Sequence, residues 1–463
     1  MNKKKSICLI LGLAAAVIFF LLPVPEGLSA GAMKGLGILI CGIIWMVGAV
    51  FPDFAVMIAM LSVWTISGVL PFETSFSAFS GTSFWLLLGA MVIGVAGSKS
   101  GLLLRLALTV LKIFPANFQG QVLALLTSGL IISPLVPSTA AKAAIMGPIA
   151  KQISDTMDYE NQSRGSAGLF YAYFTGYTCF GPIFMSGSFI AYSMLGALPE
   201  GFQGVTWLQW LYYALPWSIV MIVLSYLAIV FFFKPKNSAK FDKETIVNMS
   251  KELGPVKRDE KITLAVMVGC LILWMLERTL GISSAAVAVL AMTVLVAAKV
   301  LDKADFDKKV NWNLVFFIGA VISIGSMIKY LEIDTYIGEK LTPVMEPLVS
   351  QPVVFIIVFV AIVVLARFAS TLTSTVLFTV ALVPFGTAVG INPWVIGFIA
   401  YVSVHVWFMR YQMPLYLTAN ATAGNGDMLN QRQAALQSTI YIVISTIGLL
   451  ICLPWWKILG LMP

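Results

Sequence analysis

Ser138, Thr139 and Lys142 form the most informative polar group in the sequence, because they interrupt an apolar region in the string PLVPSTAAKAAIMGPIA. Pro137 must end a helix that approaches this point, since proline lacks a backbone donor and clashes with the preceding turn. Serine and threonine are favoured N-cap residues for a departing helix, and the free N–H groups at a helix N-terminus attract anions. We therefore predict that Ser138, Thr139 and Lys142 bind an anion. The alternative is that Lys142 extends to the membrane surface without contacting a ligand.

A second polar interruption, ARFASTLTSTVLFTVALVPF over 366–385, has the same form. Aligning the two interruptions on Pro148 and Pro384 places Ser374 and Thr375 against the first serine and threonine. We predict that these hydroxyls complete the anion site. The alternative is ordinary helix packing, in which small hydroxyl residues are common. The other hydroxyl residues in this stretch are Ser370, Thr371, Thr373 and Thr379.

A long apolar segment with internal proline and polar residues follows each interruption, which favours an unwound helix with free carbonyl groups. In the second of these segments, Arg410 can form a fork with a substrate carboxylate, although a surface anchor fits its position about as well. Free carbonyls and hydroxyls can also coordinate a cation. The candidate cation-binding residues are Ser138, Gly187, Ser374, Thr418, Asn420 and Thr422. The sequence leaves the roles of Arg367 and His405 open.

The composition places these residues in a membrane. Of the 463 residues, 59% are hydrophobic and 11% are charged, whereas soluble domains carry about 25% charged residues. The recurring apolar stretches are apolar on every face and about 20 residues long, as membrane helices require, and lack the alternation of barrel strands. We predict an all-α polytopic membrane protein with about 11 transmembrane helices. Candidate spans lie at roughly 6–23, 35–51, 54–70, 81–98, 166–196, 208–233, 261–276, 283–300, 311–328, 393–418 and 436–456.

Several classes of protein are excluded by what the chain contains. It has one histidine, His405, and its five cysteines are scattered without a CxxC pair, so we predict no enzyme activity, no cofactor and no metal other than sodium. Intramembrane proteases need Ser/His, paired aspartates or HExxH. All 21 acidic residues fall in loops or at the ends of spans, which favours an anion over a proton or cation as the substrate. The net charge of +8 lies in short loops, so it does not indicate nucleic-acid binding.

Lysine and arginine fix the predicted orientation, with the N-terminus in the cytoplasm. The string SFWLLLGAMVIGVAGSKSGLLLRLA (83–107) resembles NLVFFIGAVISIGSMIKYLEIDTYI (313–337), and an odd number of crossings between them inverts the second copy. Inverted repeats with interrupted spans are typical of secondary transporters. We divide the chain into N-terminal scaffold helices (1–80), a first inverted repeat (81–233) with a re-entrant hairpin at 118–153, a cytoplasmic linker (234–260), scaffold helices (261–310) and a second inverted repeat (311–463) with a re-entrant hairpin at 352–390.

Several strings in a fixed order resemble one known family: FLLPVPEGLS, FSGTSFWLLLGAMVIGVAGSKSGLLLRLAL (79–108), PSTAAKAA, WLQW and the Lys-Pro pair that opens the linker. That family is the divalent anion:sodium symporter (DASS) family, in its citrate/succinate antiporter and dicarboxylate translocator branch. Its members carry Ser-Asn-Thr at both hairpin tips, where this chain has Ser-Thr-Ala (138–140) and Ser-Thr-Val (374–376). The antiporter branch follows the first motif with Ala-Arg, and Lys142 keeps that positive charge. The sodium-coupled members carry a Gly-Thr-Pro-Pro-Asn-like loop, of which Gly187 and Asn420 remain here.

This resemblance implies a homodimer with a scaffold domain and a transport domain that moves like an elevator. The predicted function is secondary transport of small organic anions, such as succinate, malate or citrate, across the cytoplasmic membrane. Exchange and cation-coupled symport, with sodium as the candidate ion, both stay open. The alternatives are a carrier for an inorganic divalent anion such as sulfate, an anion channel, and a membrane-embedded enzyme.

Overall fold

The computed structural model describes residues 3–236, 243–368 and 374–463, and these residues form helices and connecting turns without a strand. The helices of the first half are α1 (Lys3–Leu21), α2 (Ala30–Val47), α3 (Asp53–Ile66), α4 (Phe72–Ser75), α5 (Thr82–Ser100), α6 (Leu102–Ile113), α7 (Phe118–Ile132), α8 (Thr139–Thr156), α9 (Arg164–Phe174), α10 (Phe189–Gly196), α11 (Trp207–Tyr213), α12 (Leu215–Phe232) and α13 (Lys243–Glu252).

The remaining helices belong to the second half of the chain. They are α14 (Arg258–Met275), α15 (Glu277–Leu280), α16 (Ser284–Ala297), α17 (Lys303–Lys309), α18 (Trp312–Tyr330), α19 (Ile333–Val349), α20 (Pro352–Ala366), α21 (Ser374–Ala388), α22 (Pro393–Ser403), α23 (Pro414–Thr422) and α24 (Gln431–Ile458). Six helices among the described residues, namely α2, α5, α7 with the turn after it, α12, α18 and α24, are long and apolar enough to cross a bilayer, and shorter apolar helices accompany them. The predicted all-helical membrane fold is confirmed; the domain boundaries stay a prediction.

Two helical pairs occupy the predicted hairpins. The first hairpin joins α7 to α8 through a tip at 133–138, where a short turn and Pro137 separate the two helices. The second hairpin joins α20 to α21, and the residues between them at 369–373 lie outside the described part of the chain. The hydroxyl residues predicted at 370, 371 and 373 therefore cannot be placed.

Each hairpin is followed by a helix that is interrupted, as the proline and polar residues predict. The first broken segment (175–188) contains a π-helical turn at Thr175–Cys179 and two short 3₁₀ turns, and it lies between α9 and α10. The second broken segment (404–413) lies between α22 and α23. The predicted spans 166–196 and 393–418 are thus each two half-helices around irregular backbone.

Close backbone approaches bind these parts into one packed body. A Cβ atom on Gly129 of α7 would lie 2.3 Å from the carbonyl carbon of Gly176, so only glycine lets the first hairpin contact the first broken segment this closely. A Cβ atom on Gly147 of α8 would lie 2.3 Å from Thr422 Oγ1 of α23. The first hairpin therefore packs on elements from both halves of the chain.

Candidate functional site

A cavity of about 860 Å³ lies where the two hairpins, the end of the first broken segment with α10, and the start of α23 meet helices α3, α5 and α18. Its lining comprises Pro52, Asp53, Phe54, Met91, Gly94, Val95, Ser98, Lys99, Ser138, Thr139, Ala140, Ala141, Ser188, Phe189, Ile190, Ser193, Lys309, Asn311, Asn313, Leu314, Phe317, Ile318, Thr375, Pro414 and Leu415. The charged members of this lining are Asp53, Lys99 and Lys309, and both lysines are paired with carboxylates behind the wall. Three of the predicted substrate residues, Ser138, Thr139 and Thr375, line the same space.

Six described helices start at this cavity: α3 and α18, and the four helices that belong to the hairpins and the half-helices after them. Helices α8 and α21 start at the hairpin tips, and α10 and α23 start directly after the broken segments. Each of the four contributes residues from its first turn or its N-cap to the lining. N-terminal N–H groups and the positive end of the helix dipole favour negative charge, so the arrangement suits an anion with more than one carboxylate.

The first tip is shaped by its N-cap serine. Ser138 has extended backbone, and its Oγ accepts a hydrogen bond from the N–H of Ala141 at 3.3 Å. That bond satisfies one of the free donors at the start of α8. Thr139, the first residue of α8, is largely buried and lines the cavity beside it.

Lys142 lies one layer behind the tip. Its side chain is buried, with a residue exposure of 1%, and it does not belong to the cavity lining. The ammonium group donates to the carbonyl oxygen of Gly187 at 2.9 Å and to Ser133 Oγ at 3.2 Å. Lys142 therefore ties the first hairpin to the first broken segment, and it does not extend to the membrane surface.

Thr375 lies in the first turn of α21, at the second hairpin tip. Its side chain is buried and lines the cavity, and its hydroxyl has no hydrogen-bond partner in the described structure. A buried hydroxyl without a partner is unusual and suits a group that a ligand is meant to satisfy. Ser374 starts α21, but its side chain lies outside the described part, so its predicted role stays a prediction.

Arg367, whose role the sequence leaves open, is fully buried at the end of α20. Its Nε donates to the carbonyl oxygen of Val404 at 3.1 Å, and one of its terminal nitrogens donates to the carbonyl oxygen of Gln412. The amide of Gln412 in turn donates to the carbonyl oxygen of Arg367 at 3.4 Å. Arg367 thus ties the second hairpin to the second broken segment, as Lys142 does in the first half. The signal that points to it is an arginine inside an apolar hairpin, where a charge needs a partner.

The remaining predicted residues fall outside the cavity lining. Arg410 is exposed in the second broken segment. The hydroxyl of Thr418 donates to the carbonyl of Pro414 at 3.1 Å. The hydroxyl of Thr422 lies within hydrogen-bond distance of carbonyl oxygens of its own helix and of the carbonyl oxygen of Ala143 on α8. Asn420 is buried, and its Oδ1 has no hydrogen-bond partner among the described residues. Arg410 therefore stays a prediction as a substrate ligand, and Thr422 has a packing role.

Ser188 and His405 were not assigned from the sequence. Ser188 caps α10, accepting a hydrogen bond from the N–H of Ile190 at 3.3 Å, and lines the cavity. The string GSFIAY carries the signal, since serine before an apolar helix is a favoured N-cap. His405 is buried in the second broken segment, with Nδ1 2.9 Å from the carbonyl oxygen of Tyr401.

The edge of the cavity next to α17 carries a compact charge group. Lys99 pairs with Asp302 and Asp305, and Lys309 pairs with Asp305 at 2.8 Å. Burial alone would raise the pKa of Asp305, but hydrogen bonds from Lys309 and Lys99 outweigh it and hold that pKa well below its ordinary value. This group fixes two cationic side chains at the cavity edge.

Comparisons with known proteins agree on a family. Residues 3–462 match the family model described as the sodium:sulfate symporter transmembrane region. A putative malate transporter, YflS of Bacillus subtilis, is 27% identical over 71% of this chain and 70% of its own length. The chloroplastic dicarboxylate transporter 1 of Spinacia oleracea is 24% identical over 73% of this chain and 60% of its own length. The YdaH transporter of Alcanivorax borkumensis, described as having an unusual topology, shares the fold with a TM-score of 0.56, 14% identity, and coverage of 85% of this chain and 89% of its own.

Proposed function

Because this chain belongs to the sodium:sulfate symporter transmembrane family, we propose that it is a carrier of small dicarboxylates. The chain is a multi-pass membrane transporter and not an enzyme. The observation that carries the proposal is the convergence on one cavity of the N-termini of α8, α10, α21 and α23, two from each half, with those of α3 and α18 beside them. Each N-terminus carries a partial positive charge, and their free N–H groups suit an anion with more than one carboxylate.

Several features favour a dicarboxylate over an inorganic divalent anion. The cavity of about 860 Å³ lies within the range of small-molecule sites, roughly 300–1,000 Å³, and exceeds what a single tetrahedral anion needs. Relatives named for malate and for dicarboxylates point the same way. In this proposal Ser138 and Thr139 hold one carboxylate, and Ser374 and Thr375 hold the other.

The two buried cations support exchange without sodium. A sodium ion at a broken helix is coordinated by its free carbonyls. Here the carbonyl of Gly187 is held by the Lys142 ammonium, and those of Val404 and Gln412 are held by Arg367. The described residues therefore do not fit a sodium ion at these carbonyls. The protein's own cations stabilise the broken segments in its place, which supports an exchanger that moves one anion against another.

The rest of the proposal concerns assembly and orientation. We infer an elevator-type carrier that works as a homodimer in the cytoplasmic membrane with a cytoplasmic N-terminus. A single cysteine introduced at residue 250, in a background without the five native cysteines, should react with an impermeant maleimide only after the cells are permeabilised. Labelling of intact cells would reverse the orientation.

Counterflow in proteoliposomes tests the proposed function. Vesicles preloaded with unlabelled succinate should take up labelled succinate in sodium-free buffer, and malate in the outer buffer should compete. Empty vesicles and vesicles without protein are the controls. Strict dependence on sodium would overturn the exchange proposal, and stronger competition by sulfate than by malate would replace the dicarboxylate with an inorganic anion.

A further inference from the structure

A second concave surface lies between α12 and α24, and none of its lining residues belongs to the anion cavity. This groove encloses about 970 Å³. On α12 it is lined by Leu224, Leu227 and Phe231, which recur at helical spacing, and on α24 by Leu436 and Val443, which lie two turns apart. Two facing stripes of apolar side chains therefore form the walls of a trough that runs along the helices.

The groove faces the surroundings of the protein. Leu227 is 52% exposed, Phe231 is 78% exposed and Val443 is 52% exposed. Both helices are long and apolar enough to cross a bilayer, so these side chains meet lipid. Each stripe extends over seven steps of the helix, or about 10 Å at 1.5 Å per residue. This is most of the thickness of one leaflet of a hydrocarbon core about 30 Å thick.

One end of the groove is polar and positively charged. Lys234, at the end of α12, is exposed and is the charged residue among those that line the groove. Gln119, from the start of α7, also belongs to the lining. An apolar trough with a cation at one end matches an amphiphile whose anionic head sits at the lysine and whose tail lies in the trough.

We propose that this groove binds one anionic phospholipid, with an acyl chain between α12 and α24 and the headgroup phosphate at Lys234. A second copy of the chain fits less well, because two copies that met here would bring Lys234 of each into an apolar contact. With the N-terminus in the cytoplasm, Lys234 lies at the cytoplasmic leaflet, where anionic lipids are concentrated. The binding site does not depend on the identity of the transported substrate.

The site is joined to the body that holds the hairpins. Nearer the start of α12 than the groove, Trp217 donates from Nε1 to Ser445 Oγ of α24 at 3.1 Å, and a Cβ atom on Gly448 would lie 2.7 Å from the Trp217 ring. The two helices that form the groove are therefore fixed to each other. A lipid that fills the gap between them should stabilise the folded protein by mass action.

Two matched pairs of variants test the site in the full-length protein. Thr439 lines the groove and Thr293 is exposed on α16; each donates its hydroxyl to the carbonyl four residues earlier. Thr439→Phe should fill the groove and Thr293→Phe should not. Lys234→Gln removes the charge at the groove, and Lys308→Gln removes an exposed charge on α17.

The measurement is native mass spectrometry after purification from membranes and incubation with vesicles of phosphatidylglycerol or phosphatidylcholine. Wild type, Thr293→Phe and Lys308→Gln should retain phosphatidylglycerol, Thr439→Phe should lose it, and Lys234→Gln should lower its apparent affinity roughly fivefold. The melting temperature should rise with phosphatidylglycerol for the proteins that retain it. Equal retention by all five proteins, or no retention by wild type, would overturn the site.

Two further outcomes are decisive. Retention of phosphatidylcholine as strong as that of phosphatidylglycerol, unchanged by Lys234→Gln, would refute the anionic headgroup. Conversion of a dimer into monomers by Thr439→Phe, but not by Thr293→Phe, would show that a second copy of the chain covers the groove. Should Thr439→Phe fail to fold, Lys234→Gln against Lys308→Gln decides the question alone.

Discussion

The two hairpins use the same device with different chemistry. In the first, a lysine on the departing helix α8 donates to one carbonyl and one hydroxyl. In the second, an arginine on the approaching helix α20 donates to two carbonyls that are eight residues apart. A guanidinium group is a rigid planar fork that reaches two separated acceptors, whereas an ammonium group is a compact point charge whose acceptors must lie close together. Both halves thus need a cation at the broken segment, and each half supplies it from a different leg of its hairpin.

Removing the arginine should have the largest effect. Arg367→Met removes a donor from two carbonyls of the second broken segment. The carbonyl of Val404 keeps the N–H of Val406, but the buried carbonyl of Gln412 loses the donor that Arg367 supplies, and an unsatisfied buried acceptor costs about 1–3 kcal/mol. We expect little folded protein, measured by size-exclusion chromatography and thermal unfolding in detergent. Arg367→Lys should fold better but remain impaired, because a lysine cannot reach both carbonyls. A well-folded, fully active Arg367→Met protein would end the comparison between the hairpins.

Removing the lysine should impair transport more than folding. Lys142→Met keeps the length of the side chain but loses the charge and two hydrogen bonds, and the relief of no longer burying a charge offsets part of that loss. We expect succinate exchange to fall at least tenfold while the melting temperature changes little. Lys142→Arg, which keeps the charge, should retain measurable exchange.

The result that would contradict this expectation is normal exchange by a normally expressed Lys142→Met protein. The charge would then be irrelevant to the anion site, and Arg410 would become the leading candidate for a cationic substrate ligand. If succinate exchange by Lys142→Met became dependent on sodium, this would instead support the view that the ammonium group takes the place of a sodium ion at the first broken segment.

Substitutions at the two hairpin tips should affect substrate affinity and protein stability differently. Thr375 has a hydroxyl without a protein partner, so Thr375→Val should leave the melting temperature unchanged. A lost hydrogen bond to a charged ligand costs about 1.5–3 kcal/mol, so the half-saturation concentration should rise tenfold or more. Ser138→Ala should weaken binding by a similar factor and also destabilise the protein by about 1 kcal/mol, because Ser138 caps α8.

Ser374→Ala is expected to weaken binding in the same way as Thr375→Val, and Ser138→Asn serves as the capping control. Unchanged half-saturation in all of the alanine and valine variants would remove the tips from the substrate site. An equal loss of stability in Ser138→Ala and Thr375→Val would show that the two tips are more alike than their hydrogen bonds indicate.

The smallest effect is expected at the charge group beside α17, which lies outside both hairpins. A carboxyl group with a lowered pKa in the folded state contributes stability above its unfolded pKa, near 3.9, and loses it as the pH falls through the folded value. The contribution of Asp305 to the melting temperature should therefore be constant from pH 7 to pH 5 and should decrease below about pH 4. Asp305→Asn should lower it slightly at pH 7 and flatten the acid fall; an unchanged profile would remove this group from the stability of the cavity edge.

Much of the fold could be predicted because a membrane helix can be recognised from a short, continuous stretch of sequence. A run of about 20 apolar residues must be helical in hydrocarbon, and Pro137 together with Ser138 marks a turn wherever it occurs. The two broken segments were predicted for the same reason. The shared cavity of Ser138, Thr139 and Thr375 follows from the inverted repeat, which brings equivalent tips together.

The directions of the long cationic side chains could not be predicted. Lys142 donates to a carbonyl that lies 45 residues later in the chain, and Arg367 donates to carbonyls 37 and 45 residues later. Such contacts depend on how helices pack, which no local pattern encodes. The same holds for Thr422, whose hydroxyl contacts α8 across the two halves because Gly147 leaves room for it.

The buried cations also set the electrical cost of moving the anion site. Lys142 and Arg367 contribute two positive charges behind the tips when both are protonated. In the proposed exchanger, a bound dicarboxylate would supply two negative charges that offset them. Return of the empty site would carry its charge through the field, at about 2.3 kcal/mol per elementary charge per 100 mV. The membrane voltage would then penalise return without an anion, whereas the exchange of one dianion for another would be electroneutral.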